Sequence, residues 1–299
     1  MLQSPPPAPR VPQATPAART PLIVPAPRPA AVEAPLSADF EAFRRRAYQI
    51  TGLDLTSYKA PQMHRRLQAL LARLRVADFA EYARLLEKDP ERRQEFKDYV
   101  TINVSEFFRD ADRFRELERR VLPELLGASA TLRIWSAGCS IGAEPYSIAM
   151  LLRELAPGRN HTILATDIDQ TILDRAKAGK HYQIADVRNV GAERVARWFV
   201  AEPDGRYSVG PGARGLIRFE KHDLLRDRYP SGPFDLIACR NVVIYFTEEA
   251  KDRIYQGFSN ALRPGGILFI GGTEAIMRPQ TFGLQVMGPG LYRKDGARC

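Results

Sequence analysis

Residues 130–156 read "ATLRIWSAGCSIGAEPYSIAMLLRELA". The first part is a short apolar run with bulky side chains, which predicts a buried strand. The part from Ala143 predicts a helix. Pro145 is tolerated in its first turn, where the backbone N–H has no intrahelical partner to lose. Between them, Gly138 and Gly142 let the backbone come close to a ligand. The spacing is G-x-x-x-G, not the G-x-G-x-x-G of dinucleotide binders, and no Gly-Lys-Ser/Thr follows. A strand, a glycine turn and a helix therefore predict an α/β fold with a ligand site but no pyrophosphate cradle.

Downstream the same alternation continues. "HTILATDID" is a second strand and "QTILDRAKAG" a helix. "FDLIACRNV" is a third strand, "EEAKDRIYQGFSNAL" a helix and "GGILFIGG" a fourth strand. Strands alternating with helices predict a parallel, doubly wound sheet, and ligands of such sheets sit at the carboxyl ends of the strands. Asp167 ends the second strand, within reach of the glycine turn, where a carboxylate can accept both hydroxyls of a ribose. Capping the next helix is the alternative use for either acid of "DID". "GRYSVGPGARGLIRFEKHDL" predicts an inserted β-hairpin at about residues 203–221. "TFGLQVMG" and "GLYRK" predict a closing antiparallel pair.

Upstream, residues 37–105 have helical periodicity. Ser37 precedes one helix, and Gly52 suits its C-terminal cap. In the next, Met63, Leu67, Leu70, Leu71 and Leu74 form one apolar stripe. Asp78 and Glu81 have capping-box spacing before a third helix. From Leu55 to Ala77 there are five Lys or Arg and no acid. Arg65, Arg66 and Arg73 lie off the apolar stripe, so a solvated face is the plain expectation. Residues 1–36 are mostly Pro and Ala without periodicity, which predicts a disordered tail.

Bulk properties exclude several classes. No apolar run approaches the ~20 residues of a membrane span, and no signal-peptide pattern opens the chain. Cys139, Cys239 and Cys299 stand far apart, against a disulfide framework or a zinc site; a cytoplasmic protein without a metal is expected. The net charge of +9 across 299 residues points to an acidic partner.

Five motifs, "TINVSEFFRD", "WSAGCSIGAEPYSIA", "ATDID", "HDLL" and "CRNVVIYF", follow a basic helical segment. Together they resemble the chemotaxis receptor methyltransferases, the CheR family, over roughly Ala38 to Lys294. The resemblance implies a class I, Rossmann-like S-adenosylmethionine (AdoMet) methyltransferase domain over 106–299, with S-adenosylhomocysteine as product. It further implies that Asn103 and Ser105 hold the methionine end of AdoMet, with Glu144 on its ammonium. Asp167 would take the ribose, Asp223 and Leu224 the adenine edge, while Gly138, Arg240 and Asn241 line the cleft. Arg109 and Tyr245 would face the methyl acceptor, Arg109 also bordering the cofactor. Three departures stand out: Ala143 replaces a usual second glutamate, Asp223 a frequent asparagine, and "GGTEA" the usual Gly-His-Ser-Glu.

The implied acceptors are glutamate carboxylates on the cytoplasmic helices of methyl-accepting receptors, already ionised at neutral pH, so no general base is required. A guanidinium at Arg109 can orient such a carboxylate with two parallel hydrogen bonds. Phe107 and Phe108 read equally well as a drying wall or as core. Lys59, Arg65, Arg66 and Arg73 would meet the acidic receptor surface. The short inserted hairpin argues against docking of a receptor C-terminal peptide. The base-methylating signature Pro-Pro-Tyr/Phe is absent, which argues against nucleic acid. A small-molecule carboxyl methyltransferase and a non-catalytic AdoMet-binding signalling module are the alternatives.

Overall fold

The computed structural model describes residues 36–101 and 105–296. Nearly all of the proline-rich tail, and Asn103, lie outside the described residues.

Four helices come first: α1 (Ala38–Thr51), α2 (Ala60–Leu74), α3 (Phe79–Lys88) and α4 (Pro90–Thr101). Their ends follow local chemistry. Ser37 Oγ accepts from the Phe40 N–H at 3.2 Å, and Gly52 closes α1 at φ 78°, a left-handed angle that costs glycine little. Asp78 Oδ1 accepts from Glu81 N at 2.7 Å. Glu81 reaches back to Ala77 N at 2.8 Å, one residue before the usual capping-box partner. Pro90 opens α4, where its missing N–H forfeits no intrahelical bond.

A helical stretch unassigned from sequence follows Arg109: α5 (Ala111–Glu116) runs through a π-helical turn (Leu117–Val121) into α6 (Leu122–Ala128). Then come β1 (Arg133–Ala137), α7 (Ala143–Leu155), β2 (Thr162–Asp167) and α8 (Gln170–Ala178). Next are α9 (Ala192–Trp198), β3 (Phe199–Ala201), β4 (Tyr207–Val209), α10 (Pro211–Arg214) and β5 (Ile217–Lys221). The chain ends with β6 (Phe234–Cys239), α11 (Glu248–Ala261), β7 (Leu262–Ile270), β8 (Leu284–Gly288) and β9 (Leu291–Lys294).

Seven strands form one sheet in the order β5-β2-β1-β6-β7-β9-β8. The first five are mutually parallel and β9 and β8 close it antiparallel, as the terminal pattern predicts. The chain order reverses between β1 and β6, so the crevice at their carboxyl ends is the expected ligand site. The inserted hairpin differs from expectation. It is β3 with β4, spanning 199–209, and residues 217–221 pair in parallel with β2 instead. Alternating Ile217 and Phe219 suit a hairpin arm and a sheet edge alike. The Gly/Pro segment between nucleates α10, with Pro211 at its start, rather than a tight turn.

Two cores cover the sheet's faces. One runs without a break from Phe40, Leu67, Tyr82 and Phe96 of the helical segment to Trp135, Ile237 and Phe258. The other gathers Phe107, Phe114 and Leu125 with Ile134, Ile148 and Phe269. The helical segment thereby forms a fixed wall beside the strand ends.

Candidate active site

The turn after β1 is tied to the end of β2. The N–H groups of Gly138 and Cys139 both donate to Thr166 O, at 2.8 and 2.9 Å. Gly138 sits at φ 76°, and a Cβ there would lie 2.5 Å from Val242 Cγ2, so only glycine fits. Ser140, left-handed at φ 48°, donates its N–H to Asp167 Oδ2 at 2.8 Å, and Asp169 N donates to Asp167 Oδ1 at 3.1 Å. The two acids of "DID" have separate work. Asp169 caps α8 through Thr171 N at 2.9 Å, while Asp167 faces the glycine turn. Burial pushes the Asp167 carboxyl up to about 6, against the pull of its backbone donors.

A cleft opens at this point. Gly138, Glu144, Asp167, Asp223, Leu224, Arg240 and Asn241 line it from the strand ends, and Ser105, Arg109 and Tyr245 from the adjoining loops. Every cofactor or catalytic candidate within the described residues is thus brought to one cavity. Phe107 and Phe108 are not part of its wall. They are core, Phe107 packing edge-on against Tyr182 and Phe199, each at 4.9 Å, and Phe108 against Phe114.

At the floor, Glu144 Oε1 accepts from Ser136 Oγ at 2.8 Å, and its other oxygen lies 3.8 Å from Arg240. Burial raises the Glu144 pKa and Arg240 restrains it. Arg240 is itself buried, its guanidinium between the rings of Phe114 and Phe269 at 5.0 and 4.8 Å. It donates to Arg109 O and to Asp110 Oδ2, both at 2.7 Å. Arg240 therefore fixes the backbone that presents Arg109, between Phe108 and Asp110 at positive φ of 51° and 57°. Asn241 is also left-handed, at φ 58°, and Glu274 Oε2 takes the N–H groups of Asn241 and Gly271. Sequence reading noted Glu274 only as part of a variant motif. Its work as a clamp joining the ends of β6 and β7 is visible only once those ends meet.

Sequence reading also missed Leu53, Asp54, Tyr58, Val100 and Thr101, cleft-lining residues of the helical segment. They are brought in by two backbone links, Lys59 N to Tyr245 O and Thr247 N to Ser57 O, each 2.9 Å. Asp54 also pairs with Arg226 at 3.1 Å. No local pattern signals such contacts.

The basic residues of α2 lie outside the cleft wall, and they are not one solvated face. Arg66 donates to Tyr99 O and lies over that ring at 4.4 Å. Arg73 pairs with Glu95 at 3.2 Å and lies 5.3 Å from the same ring. Both fasten α2 to α4, whose carbonyl and carboxylate were out of view in a helical wheel. Arg65 is exposed. Lys59 lies against Lys251, and burial together with that second ammonium lowers its pKa.

The donor set suits AdoMet. Asp167 can take a ribose, Glu144 an ammonium, and Asp223, its pKa raised by burial, an adenine amino group. Among the described residues, Ser140 Oγ and Asn241 Oδ1 have no hydrogen-bond partner, leaving polar atoms for a ligand.

Comparison with known proteins agrees. The family model described as "CheR methyltransferase, SAM binding domain" matches residues 103–288, and "CheR methyltransferase, all-alpha domain" matches 38–101. A protein of Listeria monocytogenes serovar 1/2a named "Chemotaxis protein methyltransferase" is 44% identical over 260 residues, covering 87% of this chain and 98% of that one. "Chemotaxis protein methyltransferase 1" of Pseudomonas aeruginosa is 37% identical over 269 residues, covering 86% and 98%. With the glycine turn, the buried carboxylates and both matched domains in place, the chain belongs to the CheR family of AdoMet-dependent methyltransferases.

Proposed function

We propose that this enzyme esterifies the γ-carboxylate of glutamates on the cytoplasmic helices of methyl-accepting chemoreceptors. The observation that carries the reading is the convergence of Arg109 and Tyr245 on the cleft that also holds Glu144, Asp167 and Asp223. AdoMet supplies an activated methyl on its sulfonium. The chain's part is to bind, orient and exclude water. Glu144 meets the ammonium and Asp167 the ribose, while Asp223 and Leu224 meet the adenine edge. Arg109 grips the incoming carboxylate, and its backbone cannot drift because Arg240 holds its carbonyl at 2.7 Å. Tyr245 steers the second oxygen.

No base is needed, since a glutamate carboxyl is ionised near neutrality. His222, the histidine at the cleft, is unsuited to proton transfer. It is buried, its pKa is lowered by that burial, and it stacks edge-on against Trp135 at 5.6 Å.

The test is incubation with methyl-labelled AdoMet and receptor cytoplasmic fragments. Base-labile methyl esters on glutamate are expected. Label on small carboxylic acids alone would favour a metabolite methyltransferase, and no label at all a binding module.

A further inference from the structure

Tyr58 belongs to the helical segment, two residues before α2, yet its side chain is only 7% exposed and lines the cleft. Its ring stands edge-on to Phe246 at 4.9 Å, and its backbone forms an isolated antiparallel bridge with the same residue. Both contacts hold the phenol in one direction. Burial, and then the negative charges of Asp223, Asp167 and Asp54, push its acidity far down. Among the described residues no group hydrogen-bonds its hydroxyl, and that oxygen is not sealed in the core as Tyr82's is. A buried phenol normally finds a partner for its O–H. Among the described residues, the cavity that Tyr58 lines is the cleft.

We propose that Tyr58 is a cofactor contact supplied by the helical segment, its hydroxyl hydrogen-bonding the nucleoside part of AdoMet between the groups held by Asp167 and Asp223. The proposal rests on those two assignments. It makes the cofactor a bridge between the two matched domains. Asp54, held by Arg226, and Leu53 complete the same wall.

The experiment is calorimetric titration of the full chain with S-adenosylhomocysteine, comparing wild type, Tyr58→Phe and Asp167→Ala. Phenylalanine keeps the ring packing on Phe246, so the unliganded thermal midpoint should stay put. The dissociation constant should rise about five- to tenfold, the loss of one hydrogen bond. The penalty should vanish with 2′-deoxy-S-adenosylhomocysteine if the partner is the ribose 2′-hydroxyl and persist if it is elsewhere on the nucleoside. Binding within twofold of wild type in Tyr58→Phe, while Asp167→Ala is impaired, overturns the proposal. A loss of binding matched by a fall in the unliganded midpoint also overturns it, since the role would be structural. Wild-type affinity in Asp167→Ala would instead overturn the nucleoside assignment on which it rests.

Discussion

At the residue scale, Asp167 makes a testable statement about pH. Its folded pKa of about 6 lies above the unfolded value of 3.8, because burial disfavours its charge. Two trends of opposite sign follow. For the unliganded fold, the group's contribution is fully present below pH 3.8 and is lost as pH rises through about 6. For AdoMet, whose ribose hydroxyls must donate to a carboxylate, affinity should be flat above pH 6 and fall about tenfold per unit below it. Calorimetry between pH 5 and 7.5 checks this, and a flat profile would show that the ribose does not meet Asp167. Asp167→Ala should weaken AdoMet by roughly 2–4 kcal/mol at pH 7.5, two charge-assisted hydrogen bonds. Arg109→Lys keeps charge but loses the planar fork, so turnover should drop at least about tenfold with AdoMet affinity nearly unchanged. Full turnover in that variant would remove Arg109 from acceptor orientation.

At the element scale, the ends of β6 and β7 depend on one carboxylate. Glu274 Oε2 accepts from the N–H groups of both Asn241 and Gly271. Glu274→Gln retains an oxygen for both donors, whereas Glu274→Ala strands them. Urea unfolding should show the alanine variant about 1–3 kcal/mol less stable and the glutamine variant much closer to wild type. Equal losses would mean that the charge, not the clamp, matters. Helix pairing carries a second contrast. Arg66 joins α2 to the Tyr99 carbonyl and ring, so Arg66→Ala should cost about 1–3 kcal/mol. Arg65, exposed on the same helix, should cost less than about 0.5 kcal/mol when replaced. Indistinguishable unfolding curves for the two variants would return Arg66 to the solvated face that the helical wheel expects.

At the scale of the whole molecule, the helical segment shares a core with one face of the sheet and walls the cleft. We propose that two of its basic residues outside the cleft wall, the exposed Arg65 and the half-buried Lys59, guide an acidic receptor helix toward the cleft through charge complementarity that weakens with salt. Lys59→Gln with Arg65→Glu should leave AdoMet binding intact while slowing receptor methylation several-fold at low salt. The gap from wild type should close as ionic strength rises. Equal rates at every salt concentration would move receptor recognition to the catalytic domain. Among the described residues no helix is long and apolar enough to cross a membrane.

The sequence by itself determined what is local to the chain. Apolar periods and glycine turns placed the central parallel strands, the antiparallel close and the caps at Ser37, Gly52 and Asp78. The rule that ligands sit at strand ends brought Gly138 and Asp167 forward, and the motifs carried Glu144, Asp223 and Arg240 to the same cavity. Tertiary structure decided everything that depends on a distant partner. Ile217 and Phe219 alternate as a hairpin arm would, and only the open edge of β2 made them a sheet strand. Asp167 and Asp169 are equally plausible caps on paper. The glycine turn's N–H, delivered by a neighbouring strand, separates their roles. Arg66 and Glu274 acquired their tasks, and Tyr58 its place at the cleft, from groups 30 to 190 residues away in the sequence. The physical reason is range: propensity and turn chemistry act over a few residues, whereas packing and buried hydrogen bonding depend on which surfaces the folded chain brings together.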